Sequence, residues 1–185
     1  MILGAVGKNA TGKDYFLEYI SKKYSIPMFS VGDVVRELAL KDGLEHTREN
    51  LHKTSQKYMT QFGQDFFPNQ IVAKIKELDI NKVLVSGIRP LSDVVALKSA
   101  FGSDFILVDI VVADDNIRFE RMKKRGSARD PLTKDKFLEH DRHEEELFHT
   151  SETEKMADFI VYNDGTAEEF DLSIDKFYKE HLLGK

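Results

Sequence analysis

The sequence predicts an α/β protein: a three-layer α/β/α sandwich around a five-stranded parallel sheet. Three observations carry that prediction. Five short apolar runs are spread along the chain, and longer amphipathic stretches separate them, the pattern that right-handed crossovers between parallel strands require. The runs are nearly continuous, as in Phe105-Ile106-Leu107-Val108, which suits strands covered by helices on both faces. Glycine, serine, asparagine and arginine cluster just after the runs, and the carboxyl ends of strands are where ligands bind in such folds.

Each element follows from its own residues. Residues 2–6 form the first strand, and 13–23 a helix with Phe16, Leu17 and Ile20 on one face. Residues 27–30 make a brief second strand. Helices follow at 33–40, at 49–62 with Leu51, Tyr58 and Met59 as apolar markers, and at 69–78. The third strand is 82–86, followed by a helix at 92–101. Residues 105–112 are the longest and most apolar strand, and 115–124 a strongly charged helix. Strand 159–162 and helix 167–178 complete the series.

The 185 residues suit one domain, and with only 4 prolines and no low-complexity tract no interdomain linker is expected. The net charge of −5 gives no reason to expect a nucleic-acid or anionic-membrane partner. The absence of cysteine excludes disulfides, thiolate catalysis and a cysteine-based zinc site. The apolar start of the chain is broken by Lys8, far short of a membrane span, and no basic segment precedes it. A cytoplasmic location is expected; oligomeric state is left open.

The first strand runs into Gly7-Lys8-Asn9-Ala10-Thr11-Gly12-Lys13. Glycines at both ends let the backbone curl until successive N–H groups face one anion. The helix starting at Lys13 adds its N-terminal partial charge, and the lysine a mobile cation for the outer phosphates. With a strand before it and a helix after it, this segment marks a P-loop NTPase fold binding a nucleoside triphosphate. One part of the motif differs: the hydroxyl residue that normally follows the lysine and binds magnesium is here Asp14.

The next two strand ends carry Ser30-Val31-Gly32-Asp33-Val34-Val35-Arg36 and Ser86-Gly87-Ile88-Arg89. Two arginines at strand ends suit a second anion, since a guanidinium fork matches a phosphate monoester. Pairing with neighbouring carboxylates, or a turn-capping role, is the plain alternative. Further on, Arg118, Arg121 and Arg125 share one helix face, with Arg129 close behind and Arg142 beyond it. An exposed charged helix balanced by Glu120 and its neighbours would show the same pattern. His140, His143 and Glu144 read as a solvated helix face, not as a metal site.

These segments resemble the nucleoside-monophosphate kinase family, and most closely its archaeal adenylate-kinase-related members and the dephospho-coenzyme A kinases. The resemblance rests on the Gly32-Asp33 to Arg36 segment, the Gly87 to Arg89 turn, and Asn163-Asp164-Gly165. Ser86 stands where that family has an aspartate, and Arg89 comes one residue early. The resemblance implies ATP as donor, a magnesium ion, and a nucleotide acceptor such as AMP or another monophosphate held by Gly32, Asp33, Arg36, Gly87 and Arg89. It implies an acceptor-binding insertion at about 33–79 and a lid at about 126–150. Lys13, Arg121, Arg125, Arg129 and Arg142 would stabilise the transferring phosphoryl group, and Asn163 and Gly165 would pack on the base with Arg121 beside it. Asn163-Asp164-Gly165 is also a good turn sequence, with Thr166 as helix cap. Within the insertion, Gln56, Gln64 and Asn69 could read the acceptor and Phe62, Phe66 and Phe67 stack on it, or the aromatics could be packing core.

Asp14 and Ser86 are complementary departures: carboxylate and hydroxyl have exchanged places relative to the usual loop and strand. They are therefore expected to hold magnesium together. Three functions stay open: a nucleoside-monophosphate kinase, a dephospho-coenzyme A kinase using Asp33 as base, and a nucleotide-binding protein with little turnover.

Overall fold

The computed structural model describes residues 1–126 and 133–184. Strands β1 (Ile2–Val6), β2 (Met28–Ser30), β3 (Val83–Ser86), β4 (Phe105–Val111) and β5 (Phe159–Tyr162) form one sheet in the order β2-β3-β1-β4-β5. All its ladders are parallel. The register sets Ser30 against Ser86 and Val6 against Asp109, so the strands end together and their loops share one edge.

Alternation along each strand feeds two cores, which is why the apolar runs are continuous. Leu3, Ala5, Leu84, Val108 and Ile110 face α1 (Lys13–Tyr24) and α9 (Ala167–Phe177), meeting Phe16, Leu17, Ile20, Phe170 and Ile174. Ile2, Val6, Val83, Val85 and Leu107 face the other way, onto Ile71 and Ile75 of α4 (Phe66–Glu77) and Val94 and Leu97 of α5 (Leu91–Phe101). Each such side chain contributes roughly 1.5–3 kcal/mol by leaving water.

Helices α2 (Val31–Lys41), α3 (Arg48–Phe62) and α4 fill the connection from β2 to β3. Helix α4 begins at Phe66, earlier than the sequence suggested, because Pro68 falls in its first turn, where no intrahelical N–H is lost. Tyr58, Phe62 and Phe66 stack on one another, with Phe62–Phe66 centroids 5.0 Å apart, and Phe67 meets Phe66 edge-on at 5.2 Å. Phe67 is buried and Phe66 packs against the second core, so these two rings serve packing.

Helix α6 (Asp115–Arg125) follows β4. Two helices, α7 (Lys134–Phe148) and α8 (Thr150–Glu154), then precede β5, in a stretch where the sequence reading set no element bounds. The described part of the expected lid is thus mainly α7, anchored by Phe137, which is 1% exposed and stacks near Phe119. Beyond α9 a π-helical turn at Tyr178–Leu182 closes the first core, with Tyr178 stacked 3.6 Å from Tyr24. Among the described residues no helix is long and apolar enough to cross a membrane.

Candidate functional site

The loop after β1 has the backbone that its glycines foretold. Gly7 and Gly12 sit at φ +136° and +97°. A Cβ on Gly7 would lie 2.5 Å from the Ile110 carbonyl oxygen, and one on Gly12 2.7 Å from Asn163 Nδ2. Both positions therefore exclude side chains for conformation and for space. Thr11 is buried and its hydroxyl donates to the Lys8 carbonyl at 3.0 Å, closing the loop on itself. No side chain caps the N-terminus of α1, so its first N–H groups keep their capacity for an anion.

Cations converge on this point. Lys13 is half-buried, and burial pulls its pKa down; Asp14 and Glu144 oppose that pull, while Arg89 and Arg125 add to it. The donor loop, the turn after β3 and the end of α6 thus place positive charge in one electrostatic neighbourhood. Helix α7 supplies the counter-charge: Asn9 Nδ2 donates to Glu144 Oε2 at 2.9 Å and to Asp141 Oδ1 at 3.3 Å. Arg89 Nη2 lies 3.5 Å from Glu144 Oε1, its guanidinium over the Phe148 ring.

The arginines of α6 divide by role. Arg118 is 1% exposed and pairs with Asp115 at 2.5 Å and Asp141 at 2.7 Å, over the ring of Phe137. It also donates from Nη1 to the Asn9 carbonyl at 2.9 Å, so it clasps α6, α7 and the loop together. Arg121 donates to the Asn163 and Gly165 carbonyls, both at 2.7 Å. Arg121 thus holds the turn after β5, where the sequence reading set it beside Asn163 and Gly165, with two of its five N–H groups. Arg142 is exposed on α7, while Asp141 and Glu144 face the loop, so the arrangement does not bring Arg142 to the phosphate site. Arg129 lies outside the described residues.

Asn163 ties the turn after β5 to the loop after β1. Its buried Nδ2 donates to the Thr11 carbonyl at 2.8 Å. Asp164 accepts from Ala113 N at 2.7 Å, and Thr166 and Glu169 form a capping box that starts α9.

After β3, Gly87 sits at φ +78°, and a Cβ there would lie 3.4 Å from Gly32 N. A Cβ on Gly32 would lie 3.4 Å from Arg36 Nη1, so Gly32, Arg36 and Gly87 make one close-packed turn. Asp33 and Arg36 form an exposed ion pair. Arg89 N donates to Asp93 Oδ2 at 3.0 Å, and burial pushes that carboxyl up to about 7 against the opposing Arg89 charge.

Of the two residues expected to hold magnesium, Asp14 is exposed in the first turn of α1 and Ser86 is buried at the end of β3. Among the described residues no three His, Asp or Glu side chains gather as a cage. One carboxylate and one hydroxyl suit an ion that keeps its waters and arrives on phosphates.

Sequence reasoning missed three groups here. Asp141 and Glu144 were submerged in a uniformly polar helix. Asp109, beneath Gly7, is pushed up to about 7 by burial, with Glu154 adding and Lys8 opposing. Its signal was a lone carboxylate inside the most apolar strand.

Residues 6–137 match the AAA domain family. A UPF0200 protein of Thermococcus onnurineus is 35% identical over 98% of both chains. The chain belongs to the AAA domain and UPF0200 families. A UPF0200/UPF0201 protein of Archaeoglobus fulgidus is 37% identical over 91% of this chain, which spans about half (52%) of that relative. Shikimate kinase from Aquifex aeolicus shares the fold over 100% of both chains, with a TM-score of 0.55 at 19% identity. This UPF0200 member therefore shares the fold of that kinase, a five-stranded parallel sheet packed between helices.

Proposed function

We propose that the protein is an ATP-dependent phosphotransferase that moves the terminal phosphate of ATP to a nucleotide monophosphate such as AMP. The observation that supports this reading most is the shared field at Lys13, which feels both Arg89 and Arg125. On this reading the loop after β1 and the turn after β3 bring their cations to bear on one passing phosphoryl group. No general base is needed, because a monophosphate acceptor is already ionised. Catalysis is then positioning plus electrostatic stabilisation. We assign the loop from Gly7, Lys8, Asn9, Ala10 and Thr11 to Gly12, with Lys13, to the donor phosphates, and Asn163 and Gly165 to the base, with Arg121 holding their turn. Gly32, Arg36, Gly87 and Arg89 receive the acceptor phosphate, and Arg125 and Arg129 the transferring group. Asp14 and Ser86 are the residues for magnesium, whose chemistry is to neutralise charge on the phosphates.

Asp33 keeps a second reading in play. It stands beside Arg36 at the mouth of β2 as an exposed carboxylate, the group a hydroxyl acceptor such as dephospho-coenzyme A needs as base.

The test is a transfer screen with magnesium-ATP against nucleoside monophosphates, dephospho-coenzyme A and shikimate. Product from AMP or another monophosphate is the expected result. Product from dephospho-coenzyme A alone would move the assignment to the hydroxyl acceptor, and tight ATP binding without product would leave a binding protein. In the same assay Asp14→Ala should abolish magnesium-dependent turnover while ADP binding survives; full activity would remove Asp14 from the metal.

A further inference from the structure

Glu144 occupies an unusual position for a carboxylate. Its Oε2 accepts from Asn9 in the middle of the phosphate loop at 2.9 Å, and its Oε1 lies 3.5 Å from Arg89 of the opposite turn. Lys13 feels its charge as well. One carboxylate group thus engages donors from both sides of the site, as a bound phosphate would. The contact is held from behind: Asp141, one turn earlier, also accepts from Asn9, and Arg118 ties Asp141 to the Asn9 backbone. Beside Asn9, Ala10 is held at φ +62°, a left-handed conformation uncommon for alanine.

We propose that Glu144 is an internal competitor for the anion site, bridging the phosphate loop and Arg89 until nucleotide phosphates displace it. The inference rests on the phosphotransferase reading and adds to it a closed state of the site. A polyphosphate cannot take Asn9, Lys13 and Arg89 while a negative group remains on them, because like charges at contact distance repel. Entry of the nucleotide breaks the contacts of α7 with the loop. The protein is therefore binding-competent for only a fraction of the time, and the measured affinity is lowered by that fraction. Displacement by one ligand also frees Arg89 or the loop for the other, so donor and acceptor help each other bind.

The test compares ADP and inorganic pyrophosphate binding to the wild type and to Glu144→Gln, which keeps shape and removes charge. The expected result is about tenfold tighter binding of both in the variant, with and without magnesium. Amide hydrogen exchange on the wild type provides a second readout: ADP should raise exchange in residues 141–148 of α7. Unchanged or weaker binding by the variant, or protection of α7 on ADP addition, overturns the proposal. Weaker binding only with magnesium also overturns it, making Glu144 a metal ligand instead. If neither protein binds ADP or pyrophosphate, the phosphotransferase reading fails too. If the wild type binds ADP and the variant gains nothing, only the competitor role is lost.

Discussion

At the scale of single residues, the charged side chains around the phosphate loop do two different jobs that their shared chemistry conceals. Arg118 is buried and satisfied by two carboxylates and a carbonyl. Truncating it leaves Asp141 without its guanidinium in a closed space, so Arg118→Ala should cost about 3–5 kcal/mol of stability by urea unfolding. Lys13, by contrast, makes a long 3.4 Å contact to the Lys8 carbonyl. Lys13→Met is expected to unfold close to the wild-type midpoint yet lose ADP binding in a fluorescence titration. A Lys13→Met protein that binds ADP normally would contradict the phosphate assignment. Helical spacing put Arg118, Arg121 and Arg125 on one face, and that much was legible. Which neighbour each one meets depends on α7 and on the turn after β5, which periodicity cannot supply.

At the scale of elements, the strands and the loop between β1 and α1 were readable because their signals are local. A parallel strand buried on both faces must be apolar throughout, and a phosphate loop must carry glycine where φ is positive. Helices α7 and α8 were not, since between Lys134 and Glu154 the described chain fixes itself through a few apolar anchors such as Phe137. The remainder is held by polar contacts, among them Glu145, which accepts from Thr150 and Ser151 to turn one helix into the next. Such pairings look like solvated surface in a linear reading. The start of α9 shows the opposite case, a boundary that the sequence announces. Thr166 and Glu169 cap it reciprocally, so Thr166→Ala should lower stability by about 1 kcal/mol, measurable as a shift in thermal midpoint. No shift would mean that packing of Phe170 and Ile174 alone sets this helix.

At the scale of the whole molecule, the sheet order puts β1 at the centre, with the turns after β2 and β3 on one side and the turn after β5 on the other. This layout carries a pH signature. Asp93 is 3% exposed, and its pKa in the fold is about 7 against an ordinary 3.8. The folded state therefore binds this proton more tightly than the unfolded chain. Its stabilising contribution is full below pH 4 and is lost as pH rises through 7. Asp93→Asn, which can still accept from Arg89 N, should be more stable than the wild type by roughly 1–3 kcal/mol at pH 8 and nearly equal at pH 4. A constant difference across that range would show that Asp93 does not titrate as described. The same geometry bears on how a protein of this kind can change its donor. Because Asn163 spans from the loop carbonyl of Thr11 to the guanidinium of Arg121, the turn after β5, to which we propose to assign the base, is hydrogen-bonded directly to the phosphate loop. A lineage drifting toward another nucleobase, or an engineer seeking one, has little freedom at Asn163. Any change there loosens the cradle itself, so workable variation falls to exposed flanking positions such as Tyr162.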